Sequence, residues 1–135
     1  MVKNPTGVLP FGGKIPTKNE IAYARLADKT PHIVVSRTLD RVEWKTTRIV
    51  RDLEEIRRLK QQPGKNVLIP GSPRLVGWLL RAGLLDELGL MVHPIIAGDG
   101  MRLFDEVTHQ VRLQLVESRT FSTGVVFLSY QPVAP

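Results

Sequence analysis

Residues 66–81, NVLIPGSPRLVGWLLR, decide how this chain is read. Residues 66–69 read as a short buried strand. Pro70-Gly71-Ser72 makes a tight turn, and residues 73–81 read as a helix. Ser72 is placed as the N-cap and Pro73 at the first helical position, where its missing N–H costs nothing. Strand, glycine turn and helix in succession are a common way of aiming backbone N–H groups at a phosphate. One glycine is a weak sign by itself, since any connection between a strand and a helix can hold one. Within the helix, Leu75, Leu79 and Ala82 fall on one side and Arg74, Gly77 and Arg81 on the other. Gly83 is placed as the C-terminal cap.

Working outward, residues 1–20 hold Pro5, Gly7, Pro10, Gly12, Gly13 and Pro16 and read as an irregular arm. Residues 20–27 suit one or two helical turns. Residues 32–36, HIVVS, form a β-branched apolar strand. Residues 46–50 form a second strand, joined to the first through residues 41–44. Asp52 opens a helix, DLEEIRRLKQQ, with capping-box spacing to Glu55. Its buried stripe is Leu53, Ile56 and Leu59, and its acidic start and basic end match the helix dipole. Pro63-Gly64 ends it. After the glycine turn and its helix, residues 86–94 alternate, with Leu88, Leu90 and Val92 on one face. A strand, helix and strand in that order usually pair in parallel. Residues 111–119 and 125–130 read as a closing antiparallel pair around residues 122–124. The sum is an α/β domain with a mixed, mainly parallel sheet flanked by helices.

Composition bounds the function. At 135 residues, 42% of them hydrophobic, the chain suits one compact domain with a real core. It has no cysteine, which excludes disulfides and cysteine metal sites and fits a reducing, cytoplasmic setting. The first residues lack the apolar run of a signal peptide, and no stretch is apolar enough to span a membrane. Net charge is +6 and uneven: residues 1–65 carry fourteen Lys or Arg against seven Asp or Glu, and residues 66–135 carry five against six. The basic charges are interspersed, which favours a solvated surface over a nucleic-acid face, and no basic–aromatic alternation is present. His32, His93 and His109 lack metal-ligand spacing, so no metal is expected.

Four segments carry a resemblance. VVSRTLDRVEW (residues 34–44), LKQQPGKNVLIPGSPRLVGWLL (59–80), GLLDELGLMVHPIIAGDGMRLF (83–104) and LQLVESRTFSTGVVFLSY (113–130) are similar in residue type, order and spacing to the dihydrofolate-reductase-like superfamily. Within it they resemble the reductase domain of bacterial riboflavin biosynthesis and its small stand-alone relatives. The resemblance implies a domain over residues 21–135, NADPH as cofactor and a small heterocyclic or carbonyl substrate, pterin or ribosylaminopyrimidine-like. It implies that Ser36, Arg37 and Thr38 lie near the adenosine 2′-phosphate, where a cation and hydroxyls suit a phosphate. It implies that Pro70, Gly71 and Ser72 face the pyrophosphate and nicotinamide, with Arg74 and Leu75 opening the helix behind them. His93-Pro94 is a hallmark of the family, explained by strand orientation at least as well as by chemistry.

The resemblance also departs from the family. The first strand with its Ser-Leu-Asp-Gly-like turn, and the second with its Gly-Arg-x-Thr-Tyr-like turn, are not found, so the domain reads as truncated at its N-terminus. Unpaired strand edges favour association with another chain, and a homodimer is expected, with residues 8–11 a weak candidate for replacement pairing. No catalytic proton donor can be named; Asp86, Glu87, Asp99 and Asp105 suit turns, caps and surfaces. Three functions therefore compete: an NADPH-dependent reductase, a non-catalytic cofactor-binding or dimerisation remnant of that family, and nucleic-acid binding through the basic first half.

Overall fold

The computed structural model describes residues 17–44 and 46–133. The expected arm, including residues 8–11, falls outside these except for its last four residues. The chain divides into two compact units, Met1–Asp52 and Leu53–Pro135.

In the first unit, helix α1 (Lys18–Lys29) runs for twelve residues, longer than the one or two turns expected. The reason is a capping box in the sequence TKNE. The Thr17 backbone N–H donates to Glu20 Oε2 at 2.6 Å, and the Glu20 N–H donates to Thr17 Oγ1 at 3.3 Å. Two of the donors left over at a helix start are thereby satisfied reciprocally. The bond from the Thr17 N–H, then that from its side chain, holds the Glu20 carboxyl below its ordinary range. A lowered folded pKa means that this cap contributes above the ordinary carboxylate range and is lost as pH falls through the depressed value. Strands β1 (His32–Val35) and β2 (Thr47–Val50) pair in parallel, in the register His32 to Thr47 through Val35 to Val50. The His32 N–H donates to the Thr46 carbonyl and the Ser36 N–H to the Val50 carbonyl, which extends the pairing at both ends. Val50 is fully buried. Trp44 stacks on His32 with ring centroids 4.2 Å apart.

In the second unit, α2 (Leu53–Lys60) is followed by α3 (Pro73–Arg81), β3 (Leu88–Val92), β4 (Leu113–Thr120) and β5 (Val126–Pro132). The three strands form an antiparallel sheet in the order β3-β5-β4. The closing hairpin falls where expected, with a bulge between Leu115 and Glu117. The mainly parallel sheet is corrected: among the described residues parallel pairing is confined to β1 and β2, and β3 runs antiparallel to β5. Residues 66–69 form no strand. An extended segment becomes a strand only with a backbone partner, and in this unit β3, β5 and β4 pair only among themselves. Val67 and Leu68 are accordingly 59% and 83% exposed, and only Ile69 packs on the core.

That core is Val76, Leu80 and Leu88, with Leu85, Leu90, Val107 and Val111 around it. The buried face of α3 is therefore displaced from the expected stripe of Leu75, Leu79 and Ala82. Leu79 is buried as expected, but Val76 and Leu80 are buried where Leu75 and Ala82 are only half-buried. Both sets satisfy helical spacing, and packing against β3 selects the second. The helix ends in a Schellman motif: the Gly83 N–H donates to the Leu80 carbonyl and the Leu84 N–H to the Leu79 carbonyl, with Gly83 at φ 63°. Lys60 ties α2 to the next connection. Its Nζ donates to the Leu84 carbonyl at 2.7 Å and to both carboxylate oxygens of Asp86 at 2.7 and 2.6 Å.

Gly77 sits on the buried side of α3, not with Arg74 and Arg81. A Cβ placed there meets Glu106 Cβ at 2.9 Å, so the missing side chain admits the 106–107 segment against the helix. Two effects oppose each other in Gly77→Ala. Helix propensity favours alanine by about 1 kcal/mol, while overpacking against a Cβ that cannot rotate away costs about 1–3 kcal/mol. The variant is expected to lose stability in urea denaturation; a gain would show that the 106–107 segment moves aside freely.

Candidate functional site

The turn between Ile69 and Val76 is built from backbone. The Gly71 N–H donates back to the Ile69 carbonyl at 3.0 Å, a tight reversal around Pro70, whose fixed φ suits it. Gly71 then takes φ 102° and Ser72 φ 58°, two successive left-handed residues. Ser72 is the only non-glycine residue with positive φ among the described residues. Pro73 fills the first helical position as expected, and the Val76 N–H donates to the Ser72 carbonyl at 3.0 Å. Between these two bonds the N–H groups of Ser72, Arg74 and Leu75 have no acceptor among the described residues.

Ser72 does not cap the helix as the sequence suggests. A capping residue is normally extended, so that its side chain folds over the second or third N–H. At φ 58° and ψ 75° the Ser72 side chain makes no such bond. Its hydroxyl is uncommitted, and the donors it was expected to satisfy stay open. Pro70, Gly71 and Ser72 lie at the surface, Leu75 is half-buried, and a Cβ at Gly71 meets nothing within 4 Å. Gly71 is thus required by its φ and not by a crowded neighbour. Arg74 is 79% exposed and its Nε donates to Glu106 Oε1 at 3.4 Å. This leaves its two terminal nitrogens to face solvent.

Ser36, Arg37 and Thr38 belong to the first unit, where they form a second, separate cluster of groups. Ser36 Oγ accepts the N–H of Leu39 at 3.1 Å and of Thr38 at 3.4 Å, closing a turn at the end of β1. Its hydroxyl hydrogen remains available for donation. Arg37 and Thr38 are exposed, and the Arg37 guanidinium has no hydrogen-bond or ion-pair partner among the described residues. Two neighbours escaped sequence reasoning. Arg51 Nη1 donates to the Ser36 carbonyl at 3.0 Å, and its Nη2 lies 3.9 Å from Asp40. Parallel pairing explains it, since the residue after β2 must emerge beside the residue after β1. Glu106 beside Arg74 had no sequence signal, being thirty-two residues distant.

Chemically, the 69–76 turn offers open N–H donors, an uncommitted hydroxyl and the positive end of a nine-residue helix, a set that suits phosphate oxygens. Ser36 to Thr38 offer two hydroxyls and an unpaired guanidinium, which suit a phosphate monoester. Among the described residues, no group of three or more His, Asp or Glu could hold a metal ion. None of their helices is long and apolar enough to cross a membrane.

The profile of the RibD C-terminal domain family matches residues 14–127. Two uncharacterised proteins of Bacillus subtilis (strain 168) are similar in sequence. YyaP is 41% identical over 78 residues, 58% of this chain and 42% of YyaP. YwjB is 35% identical over 68 residues, 50% of this chain and 39% of YwjB. The aligned part of the chain spans about two fifths of the length of these relatives. Among solved structures, a candidate riboflavin biosynthesis protein from Shewanella sp. PV-4 superposes with a TM-score of 0.65 at 20% identity, covering 87% of this chain and 71% of its own. A pyrimidine reductase-like protein from Corynebacterium diphtheriae gives 0.57 at 20% identity, covering 76% and 50%. At that identity the two structures show the fold alone.

The geometry of Ser72 sets a test of sign. Were Ser72 an ordinary N-cap, Ser72→Gly would cost a few tenths of a kcal/mol. In a left-handed conformation glycine relieves about 1 kcal/mol of strain, partly offset by unfolded-chain entropy. Thermal stability is expected to stay level or rise, and a clear fall would return the capping role to the hydroxyl.

Proposed function

This chain belongs to the RibD C-terminal domain family, of riboflavin-biosynthesis reductase-like type, and on that footing we propose that it binds NADPH for reduction of a small heterocyclic or carbonyl substrate. The single observation that carries the reading is the 69–76 turn. Its two left-handed residues leave the first N–H groups of α3 unpaired, with the Ser72 hydroxyl beside them. Open donors at a surface helix start face solvent together with the positive end of the helix, and a pyrophosphate is a ligand that would use them.

In this reading the backbone of Gly71 to Leu75 and the Ser72 hydroxyl hold the pyrophosphate. The terminal nitrogens of Arg74 add charge while Glu106 fixes its side chain. Ser36, Arg37 and Thr38 read the 2′-phosphate and so separate NADPH from NADH. When bound, NADPH supplies the hydride; the chain's own residues bind, orient and exclude water. The substrate class follows from the family resemblance, pterin or ribosylaminopyrimidine-like. Association into a homodimer belongs to the same proposal. Strand β4 is exposed along its whole length, with Leu113, Leu115 and Val116 among the exposed apolar residues, and such edges favour pairing.

The primary experiment is a titration with NADPH and, in parallel, NADH, followed through Trp44 and Trp78 fluorescence. Saturable binding that favours NADPH is expected. Arg37→Ala is expected to weaken NADPH by about tenfold and leave NADH nearly unchanged, since only the former presents a phosphate to the guanidinium. Equal losses for both would remove Arg37 from that role, and no binding by folded protein would remove the cofactor. NADPH oxidation with candidate substrates separates a reductase from a non-catalytic binding module. Sedimentation equilibrium is expected to give twice the monomer mass, and a monomer at all concentrations would end the dimer proposal.

A further inference from the structure

A second feature of the Leu53–Pro135 unit has no role in the reading above. At the C-terminal end of α3 lies an open depression of about 1160 Å³, walled by the helix end, the 109–112 segment and the end of β5. It shares no residue with the 69–76 turn at the other end of the helix. Its apolar lining comes from buried Leu80 and half-buried Leu85 and Val111. Its basic lining is Arg81 and Arg112, both exposed, with exposed His109 beside them, and neither arginine has a hydrogen-bond or ion-pair partner among the described residues. The one carboxylate in the lining, Asp86, is ion-paired: Lys60 Nζ contacts both of its oxygens.

The two guanidiniums also hang from fixed backbone. Arg81 is the last residue of α3 and lies within the Schellman motif. The Arg112 carbonyl accepts the Val133 N–H at 2.9 Å, which locks it to the end of the β4–β5 ladder. Two unpaired guanidiniums on pre-set stems, beside an aliphatic lining and with the one carboxylate of that lining paired to Lys60, select by charge and by shape together. We propose that this depression is a distinct binding site for a small anion with an apolar body, such as an aromatic or heterocyclic phosphate.

Phenyl phosphate is a suitable probe, with inorganic phosphate and benzyl alcohol as controls for the anion and the ring alone. Titration of the full chain is followed by ¹H–¹⁵N correlation spectra. Saturable shifts of the amides of Ala82, Gly83, Val111 and Arg112 are expected, with each control binding more weakly than phenyl phosphate. The double variant Arg81→Ala/Arg112→Ala is expected to lose about tenfold or more in affinity while keeping the wild-type spectrum elsewhere. The conservative pair Arg81→Lys/Arg112→Lys should recover part of it, because charge returns without the bidentate fork. NADPH at saturation should leave phenyl phosphate binding unchanged, so the two sites fail separately. Absence of saturation at millimolar probe, unchanged affinity in the alanine pair, or displacement by NADPH would each overturn the proposal.

Discussion

The second unit depends on the burial of one face of a helix too short to stand alone. Nine residues lie below the length at which an isolated helix persists in water, so α3 exists because Val76 and Leu80 pack on Leu88. Each such side chain contributes about 1.5–3 kcal/mol when fully buried. The consequences run in both directions along the chain. Toward the C-terminus, the Schellman motif turns the backbone at Gly83 and brings Leu84 into the buried set. Toward the N-terminus, Ile69 packs on the same cluster, so the 69–76 turn is pinned at both ends. A pinned turn can sustain two left-handed residues, one of them serine, which a free loop would relax.

Much of this was legible in sequence because it rests on local chemistry. Pro73 at the helix start, Gly83 at its end, the strand read at residues 32–36 and the closing hairpin all follow from dihedral preference or β-branched pattern; Pro73 and Gly83 lie where read, and the strand and hairpin are present with ends shifted by one or two residues. The capping box at Thr17 and Glu20 was equally legible and passed unnoticed, which is why α1 came out longer than expected. The misreadings share a cause: they turn on what a segment meets, which spacing does not encode. Helical periodicity admits both the Leu75 stripe and the Val76 stripe. Gly77 looks like a neutral residue of the polar face until the 106–107 segment lies against it. Residues 66–69 have the composition of a strand, but a ladder needs a second chain segment.

The site residues divide in the same way. The sequence placed Gly71 and Ser72 in a turn before a helix, and that is where they lie. It assigned Ser72 the ordinary capping role because Ser is a common N-cap, and only the backbone angle reveals the alternative. Arg51 and Glu106 are set by pairing and packing across fifteen and thirty-two residues, so no local motif announces them. Some charges of the first half make particular contacts. Arg57 pairs with Glu54 on the exposed face of α2, and Arg51 lies near Asp40. Exposed pairs of this kind contribute little to stability.

Lys60 shows how a surface charge acquires structural weight when its acceptors converge. One ammonium meets a backbone carbonyl and both oxygens of a carboxylate, all in the 84–86 connection that follows α3. Charge-assisted bonds are about twice as strong as neutral ones. These three share a single side chain, so its entropy is lost once for all of them. They fix α2 to the segment that leads into β3, and β3 carries the Leu88 contact on which α3 rests. The same ion pair holds the Asp86 carboxylate, which lines the depression at the end of α3 together with Arg81 and Arg112. A bond read first as a structural tie thus also bears on the electrostatic character of a surface that its carboxylate lines.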